Sequence, residues 1–295
     1  RTGGHSHTVD FNYGTRPLSV DVGFIVYNDL NYPNLVALFN HLAVETFESD
    51  MSFGVSMQAG RLEWSGKSLT TLFAQKRNLV SPKFWRMIRD ILRFNKIAEA
   101  DVKHGRLGHR SLRHYLADHR FSEEFINHYL APMGAAIWSM PHQDILDYPA
   151  ENFLRFFSNH RLLHKPDERP KWRTLKGGSR SYVTKLTAPF ASKIRLDSEV
   201  VQVERQGGKI HVRTKKGEED IFDHVIFASH PDQALATLCD ANENERAILS
   251  AIRYRTNSIY LHRDRRLMPK NQKVWSAWNY IETPDFQQQK MGVCV

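Results

Sequence analysis

The chain has 295 residues, 41 Lys+Arg against 32 Asp+Glu, 15 histidines and two cysteines. That length holds one large domain or two smaller ones with a sizeable core, and 41% hydrophobic with 25% charged residues excludes wholesale disorder. Cys239 and Cys294 are too few and too far apart for a disulfide framework or a cysteine-only zinc site.

No apolar run approaches the roughly 18 to 20 residues of a spanning helix, and no signal peptide is visible. A reducing, cytoplasmic setting is expected. The +9 charge admits nucleic acid, an anionic membrane or an anionic small molecule as partner without choosing among them. A start at Arg1 and an end in Met291-Gly-Val-Cys-Val295 read as a piece of a longer protein.

In chain order, residues 9–11 and 18–26 are β-prone runs around the turn signal Gly14-Thr-Arg-Pro17. Asn34 to Val44 reads as a helix with Leu35, Leu38, Phe39 and Leu42 on one face. Ser52 to Trp64 reads as a hairpin, because Phe53, Val55 and Met57 alternate and Ala59-Gly60 turns the chain. From Ser81 to about Asp147 the chain is expected to be helical. Ser81-Pro82 is an N-cap with proline at the first helical position, Ser111 and Ser122 are further caps, and Pro132 should end or kink the helix begun at Ser122.

Gly177-Gly178-Ser179 then opens a helix bearing Tyr182, Val183 and Leu186. Strands are expected at 193–196, 199–204, 209–214 and 224–229, short helices at 231–238 and 243–252, and strands at 258–262 and 274–280. β-rich ends around a helical middle point to a discontinuous domain carrying an insertion.

Several motifs fail on inspection. Gly66-Lys67-Ser68 resembles the end of a phosphate loop, but the required earlier glycine is Arg61. His160 and His164 have ligand spacing, yet Arg161 stands where the metalloprotease motif needs Glu. His104, His109, His114 and His119 recur every five residues and spiral around a helix. No metal site is expected. No nucleophile elbow, Cys/His pair or nucleic-acid module is visible. Arg86, Arg89 and Arg93 flank the apolar face of Phe84 and Trp85, the layout of a helix lying on a membrane surface and equally of a solvated helix face.

The stretches Arg1-Thr-Gly-Gly-His5, Val20-Asp-Val-Gly23, Gly177-Gly-Ser179 and Asp223-His-Val-Ile-Phe-Ala228 follow one another in a set order. Together they resemble the flavin-containing amine oxidase superfamily, which includes monoamine oxidase and phytoene desaturase. The chain is most similar to bacterial proteins described as NAD/FAD-binding or amine-oxidase-like. Asp21-Val-Gly-Phe-Ile-Val-Tyr-Asn28, Tyr32-Pro-Asn-Leu35, Ser49-Asp-Met-Ser-Phe53 and Ala131-Pro-Met-Gly-Ala-Ala-Ile-Trp138 carry that similarity along the chain.

The resemblance implies an α/β fold: a discontinuous FAD-binding Rossmann-like domain, incomplete here, over residues 1–50 and 172–254. An inserted α+β substrate domain takes 51–171 and 255–295, helical around 81–165. The pyrophosphate-binding Gly-x-Gly-x-x-Gly loop is expected about 30 residues upstream of Gly3, and the C-terminal glycine-rich segment beyond Val295. FAD is the implied cofactor. Arg1, Gly3, Gly4, His5, Gly23, Phe24, Ile25, Val200 and Ala228 are its implied contacts, with Gly23 to Val26 running beside the isoalloxazine. Tyr27, Met133, Trp138, Met140 and Asn257 are candidates for the substrate wall.

The implied reaction is oxidation of a C–H bond by hydride transfer to flavin N5, with an apolar, lipid-like substrate preferred. The alternatives are a small-amine oxidase and a flavin-free remnant that binds a lipid or protein partner. Where several amine oxidases place a lysine, within Arg255–His262, this sequence has Thr256, Asn257 and Ser258. Neither cysteine stands where it would attach a flavin, and no catalytic acid or base stands out.

Overall fold

The computed structural model describes residues 1–254, 256–282 and 291–295. Residues 255 and 283–290 of the expected substrate segment lie outside the described residues.

β1 (Thr8–Tyr13) and β2 (Arg16–Asp21) form an antiparallel hairpin closed by the pair Tyr13 and Arg16. Gly14, at φ +65°, supplies the positive φ that a two-residue turn requires. β3 (Tyr27–Asn28) is followed by α1 (Pro33–His41) and β4 (Thr46–Glu48). The hairpin expected over 52–64 is β5 (Phe53–Met57) against β6 (Leu62–Ser65), with Val55 opposite Trp64. Ser68 then caps the short α2 (Leu69–Leu72), its hydroxyl accepting from the Thr71 amide, so the Gly66-Lys67-Ser68 stretch is a hairpin-to-helix loop.

The helical middle starts as its cap signals dictate. Ser81 Oγ accepts from the Phe84 amide at the head of α3 (Pro82–Lys103). α4 (Leu112–Asp118) and α5 (Glu123–Phe125) are capped by Ser111 and Ser122. Pro132 does not end the helix. A π turn over Ile126–Leu130 precedes it, and the chain continues as α6 (Ala131–Trp138). Widening that turn accommodates a residue that can neither donate to the ladder nor tolerate a close carbonyl one turn back. α7 (His142–Asp147) and α8 (Ala150–Asn159) complete the bundle.

β7 (Trp172–Leu175) and α9 (Arg180–Thr187) lead into the ribbon of β8 (Val200–Gln206), β9 (Lys209–Thr214) and β10 (Glu219–Phe222). α10 (Pro231–Thr237), α11 (Glu243–Ala251), β11 (Trp278–Glu282) and β12 (Met291–Cys294) follow.

Among the described residues four small sheets result: β1-β2, β3-β7-β4, β12-β11-β5-β6 and β10-β9-β8. In the third, β11 lies parallel to β5 although more than 200 residues separate them in the chain, with Tyr280 beside Val55. One large core joins that sheet to the helices through Val55, Trp64, Tyr280, Phe94, Phe125 and Phe153. A smaller core around Tyr27, Phe39 and Leu175 underlies the N-terminal segments. No helix among the described residues is long and apolar enough to cross a membrane.

Three expected strands are corrected. Residues 224–229 and 258–262 form no ladder with described residues, and Ile226 is 92% exposed. Lys193 ends a 3-10 helix, and residues 194–196 run on irregularly into a turn. Apolar composition favours a strand only where a neighbouring edge supplies hydrogen-bond partners. β10 was not expected, because Glu219-Asp-Ile-Phe222 is polar at one end; it forms because β9 offers its edge to Ile221 and Phe222.

The arginines of α3 are engaged for the most part within the protein. Arg93 donates to Asp90 Oδ1 and to the carbonyls of His119 and Arg120, and lies over the Phe121 ring at 4.1 Å. Arg86 pairs with Glu124. Two of the three arginines therefore hold the bundle together, and Arg89 is left on a solvated face.

His128, His142 and His160 are held below the ordinary imidazole value, in each case chiefly by burial. Glu124 and Glu282 oppose the shift at His128, with Lys83 favouring it; Glu282 opposes it at His142. A histidine with a lowered folded value binds fewer protons folded than unfolded, so its contribution to stability is lost as pH falls below about 6.5. We expect the melting temperature to drop on acidification from pH 7.5 to 5.5, and to drop less in His160→Phe. An identical pH dependence in that variant would contradict this reading.

Candidate functional site

The glycine-bearing segments converge on Asp21. Its carboxylate accepts from Thr8 Oγ1 at 2.6 Å, from Ser179 Oγ at 2.8 Å, and from the Ser179 amide at 2.9 Å to each oxygen. The Arg180 amide donates in turn to Thr8 Oγ1 at 3.0 Å. One carboxylate thus fastens the N-terminal hairpin to the start of α9, and Ser179 is completely buried there. Arg180 also grips Asp10 through both terminal nitrogens, at 2.6 and 2.9 Å, which holds that carboxyl down at about 2.

Small residues are required where the segments touch. A Cβ on Gly23 would lie 2.0 Å from the His5 carbonyl oxygen, which accepts from the Phe24 amide at 2.8 Å. A Cβ on Gly178 would lie 2.5 Å from Thr8 Cγ2, and its φ of +81° disfavours side chains in any case.

Gly3 and Gly4 are both left-handed, and Gly3 closes a turn by accepting from the Ser6 amide at 2.8 Å. On Gly4 a Cβ would meet nothing within 4 Å, so one side of this strap is open. The exposed Arg1 guanidinium folds back on the Gly4 carbonyl at 2.9 Å. Ser6 Oγ and Tyr182 Oη lie 2.5 Å apart, binding the strap to α9 a second time.

The strap also meets the segment after 224–229. The His5 and His230 rings stack with centroids 5.3 Å apart, and His230 stacks on Tyr254 at 4.0 Å. α10 is capped by that histidine at its start and by Leu238 at its end, and Leu238 bridges to Val203 of β8. Arg1, Gly3, Gly4, His5, Gly23 and Phe24 are therefore neighbours.

Ile25 sits one step further along, its carbonyl accepting from Thr174 Oγ1 at 2.8 Å. Val200 and Ala228 are exposed, Val200 at the free end of β8 and Ala228 in the extended run before His230. Sequence reasoning passed over Thr8, Asp21, Ser179, Tyr182 and His230. Asp21 and Ser179 stand inside the stretches that carried the resemblance, where attention fell on glycines and apolar residues, and His230 lies two residues past the last of them.

The substrate-wall candidates are not brought together. Tyr27 is buried against Phe39 in the small core. Trp138 packs against Tyr148, Phe153, Phe156 and Phe157, with Met133 and Met140 on the same helical core. Asn257 is exposed in an irregular stretch. Trp138→Ala should therefore act on stability, costing about 3–5 kcal/mol in a denaturant titration; unchanged stability would place the ring in a pocket.

No group of three or more metal-ligating side chains occurs among the described residues. His160 stacks between Phe156 and Trp172, and His164 pairs with Glu99 and Glu168.

The arrangement has the marks of a nucleotide cradle. Left-handed glycines with an open side and an exposed arginine suit an anionic phosphate, and the exposed apolar Val200, Val201 and Phe227 suit a flat ring. Against that geometry stand the comparisons. The sequence pattern of the flavin containing amine oxidoreductases matches residues 1–287, and the chain belongs to that family.

Its fold is similar to that of putrescine oxidase solved with putrescine bound, at 15% identity and a TM-score of 0.59, covering 85% of this chain and 56% of that one. It is similar also to a fatty acid isomerase producing CLA from P. acnes, at 14% identity and a TM-score of 0.56, covering 84% and 55%. A third likeness is to cyclohexylamine oxidase from Brevibacterium oxydans, at 16% identity and a TM-score of 0.55, covering 83% and 54%. The chain spans about half the length of these proteins. No protein of curated function matches it. Family membership implies a flavin cofactor.

Proposed function

We propose that the protein is an FAD-dependent oxidoreductase that takes a hydride equivalent from a C–H bond of a small, largely apolar molecule. The observation that carries this reading is the meeting of the glycine-bearing segments: Thr8 and Ser179, next to Gly178, on the single carboxylate of Asp21, and Gly23 against the His5 carbonyl of the Gly3–His5 strap. In this reading residues 1–50 and 172–254 belong to the FAD-binding domain, and 51–171 with 255–295 to the substrate domain.

FAD, when bound, supplies a two-electron acceptor that no side chain can replace. Arg1, Gly3 and Gly4 would meet its anionic part, Val200 and Ala228 its nucleotide end, and the backbone of Gly23, Phe24 and Ile25 its ring. The apolar Phe24, Ile25 and Val26 would keep water from the reacting bond. No lysine lies between residues 256 and 262, so proton handling by a lysine there has no part in the proposal.

Family membership keeps a second substrate class in play, the small amines. An anaerobic titration of the purified full-length protein separates the two. Bleaching of the flavin by unsaturated acyl chains, with primary amines inert, is the expected result. Bleaching by amines alone, with peroxide released on admitting air, would replace the apolar substrate with an amine.

A further inference from the structure

From Gly66 to Arg89 the chain has six Lys and Arg and no Asp or Glu. All six cations are exposed. Lys67 pairs with Asp50 and Arg86 with Glu124, acids brought in from other segments. Arg77 donates to the neutral side-chain amide of Gln75. Lys76, Arg77, Lys83 and Arg89 have no acidic partner among the described residues.

The same segment bares apolar side chains. Leu69 is 75% exposed and Val80 82%, with Leu79 and Trp85 about half exposed. These residues adjoin one another. The Phe73 amide donates to the Leu69 carbonyl across α2, and the Phe73 ring lies 5.3 Å from that of Trp85. Trp85 Nε1 donates to the Leu79 carbonyl at 2.8 Å, which uses the indole's single donor and pins the ring at the surface. α3 prolongs the surface, because Trp85, Arg89, Leu92 and Lys96 recur at helical spacing and all four are exposed.

Nothing in the local fold requires these positions to be apolar. Ser68 and Ser81 already cap α2 and α3. A single exposed leucine is ordinary, whereas adjoining ones ringed by cations mark a surface that meets something.

The chemistry selects the occupant. Cations of one sign suit a surface of uniform negative charge. Bare aliphatic tips suit hydrocarbon lying just beneath that charge, and a tryptophan suits the boundary between the two. Nucleic acid would be met by free aromatic faces and free donors; Trp85 has its donor engaged and Phe73 beside its ring.

We propose that this patch docks the protein on a bilayer containing anionic phospholipid. Leu69, Leu79 and Val80 enter the acyl boundary, Trp85 lies among the headgroups, and Lys76, Arg77, Lys83 and Arg89 face the phosphates. Arg93, engaged inside the bundle, takes no part. The proposal does not depend on a flavin being bound.

The test is co-sedimentation of the purified full-length protein with vesicles made of equal parts phosphatidylcholine and phosphatidylglycerol, against vesicles of phosphatidylcholine alone. Two double variants accompany it, Leu69→Ser/Val80→Ser and Lys76→Glu/Lys83→Glu, with Lys216→Glu on the β9–β10 turn as the control. Every altered residue is exposed, so each variant keeps the core intact. Saturable binding to the anionic vesicles is expected, weakening as salt rises from about 0.1 to about 0.5 M. It should be at least tenfold weaker with phosphatidylcholine alone and in each double variant, and unchanged in Lys216→Glu. Absence of binding, equal binding to both kinds of vesicle, or binding unchanged in either double variant would overturn the proposal. Tighter binding to a single-stranded RNA homopolymer that survives Leu69→Ser/Val80→Ser would replace the bilayer with nucleic acid.

Discussion

Gly23→Ala is expected to yield a protein that folds poorly and retains little or no flavin. The added methyl would sit 2.0 Å from the His5 carbonyl oxygen and 3.0 Å from its carbon. Both obstacles are backbone, so no rotamer change can clear them. The strap would have to move, breaking the bond from the Phe24 amide to His5 and the neighbouring one from Val22 to His7.

Overpacking of this kind costs about 3 kcal/mol or more, a large part of a typical domain's stability. Melting temperature and the flavin-to-protein absorbance ratio would record the two losses together. Gly4→Ala serves as the contrast: its methyl meets nothing, and the residual cost is that of a left-handed alanine, roughly 1–2 kcal/mol. Equal behaviour of the two variants would show that close approach at Gly23 is not what holds the strap.

Asp21→Ala should be nearly as damaging, for an electrostatic reason. The substitution strands three donors at once: the Ser179 amide, Ser179 Oγ and Thr8 Oγ1. Ser179 is fully buried, so water reaches its groups only if α9 lifts away. Each stranded buried donor costs about 1–3 kcal/mol. Asn in place of Asp keeps an acceptor for the amide but presents an NH₂ where the second oxygen accepts, and it removes the charge that strengthens all of these bonds. Chemical denaturation should therefore rank wild type above Asp21→Asn and Asp21→Ala last. Hydrogen exchange should show the Ser179 and Arg180 amides losing protection first. A variant with normal stability and normal protection at Ser179 would remove Asp21 from the centre of the account.

Local signals with a local cause were legible before any coordinates. Ser81-Pro82 opens α3, the alternation of Phe53, Val55 and Met57 folds as a hairpin, and Gly177-Gly178 precedes α9. Long-range pairing was less legible. The expected strand at 274–280 begins only at Trp278, where β5 offers a parallel edge. The run at 224–229 has the apolar composition of a buried strand and no described partner. Trp138 and Met140 were ambiguous in sequence because aromatic and thioether side chains fill cores and pockets alike; in the fold Trp138 is half-buried and packs against four aromatic neighbours.

At the cradle the glycines were visible and their acceptor was not singled out. The need for Gly23 and Gly178 follows from contacts with His5 and Thr8 that no spacing reveals. The arginines of α3 were visible in sequence, but the exposure of Leu69, Leu79, Val80 and Trp85 beside the basic residues emerges only from the folded chain.

The central claim is that the segments gathered on Asp21 hold a flavin. The most direct measurement is the visible absorbance of the purified full-length protein after gel filtration, with and without prior incubation with FAD. The account predicts a yellow protein carrying one flavin per chain, and a colourless one once Asp21 is replaced by alanine. A wild-type protein that stays colourless after exposure to excess FAD would contradict it.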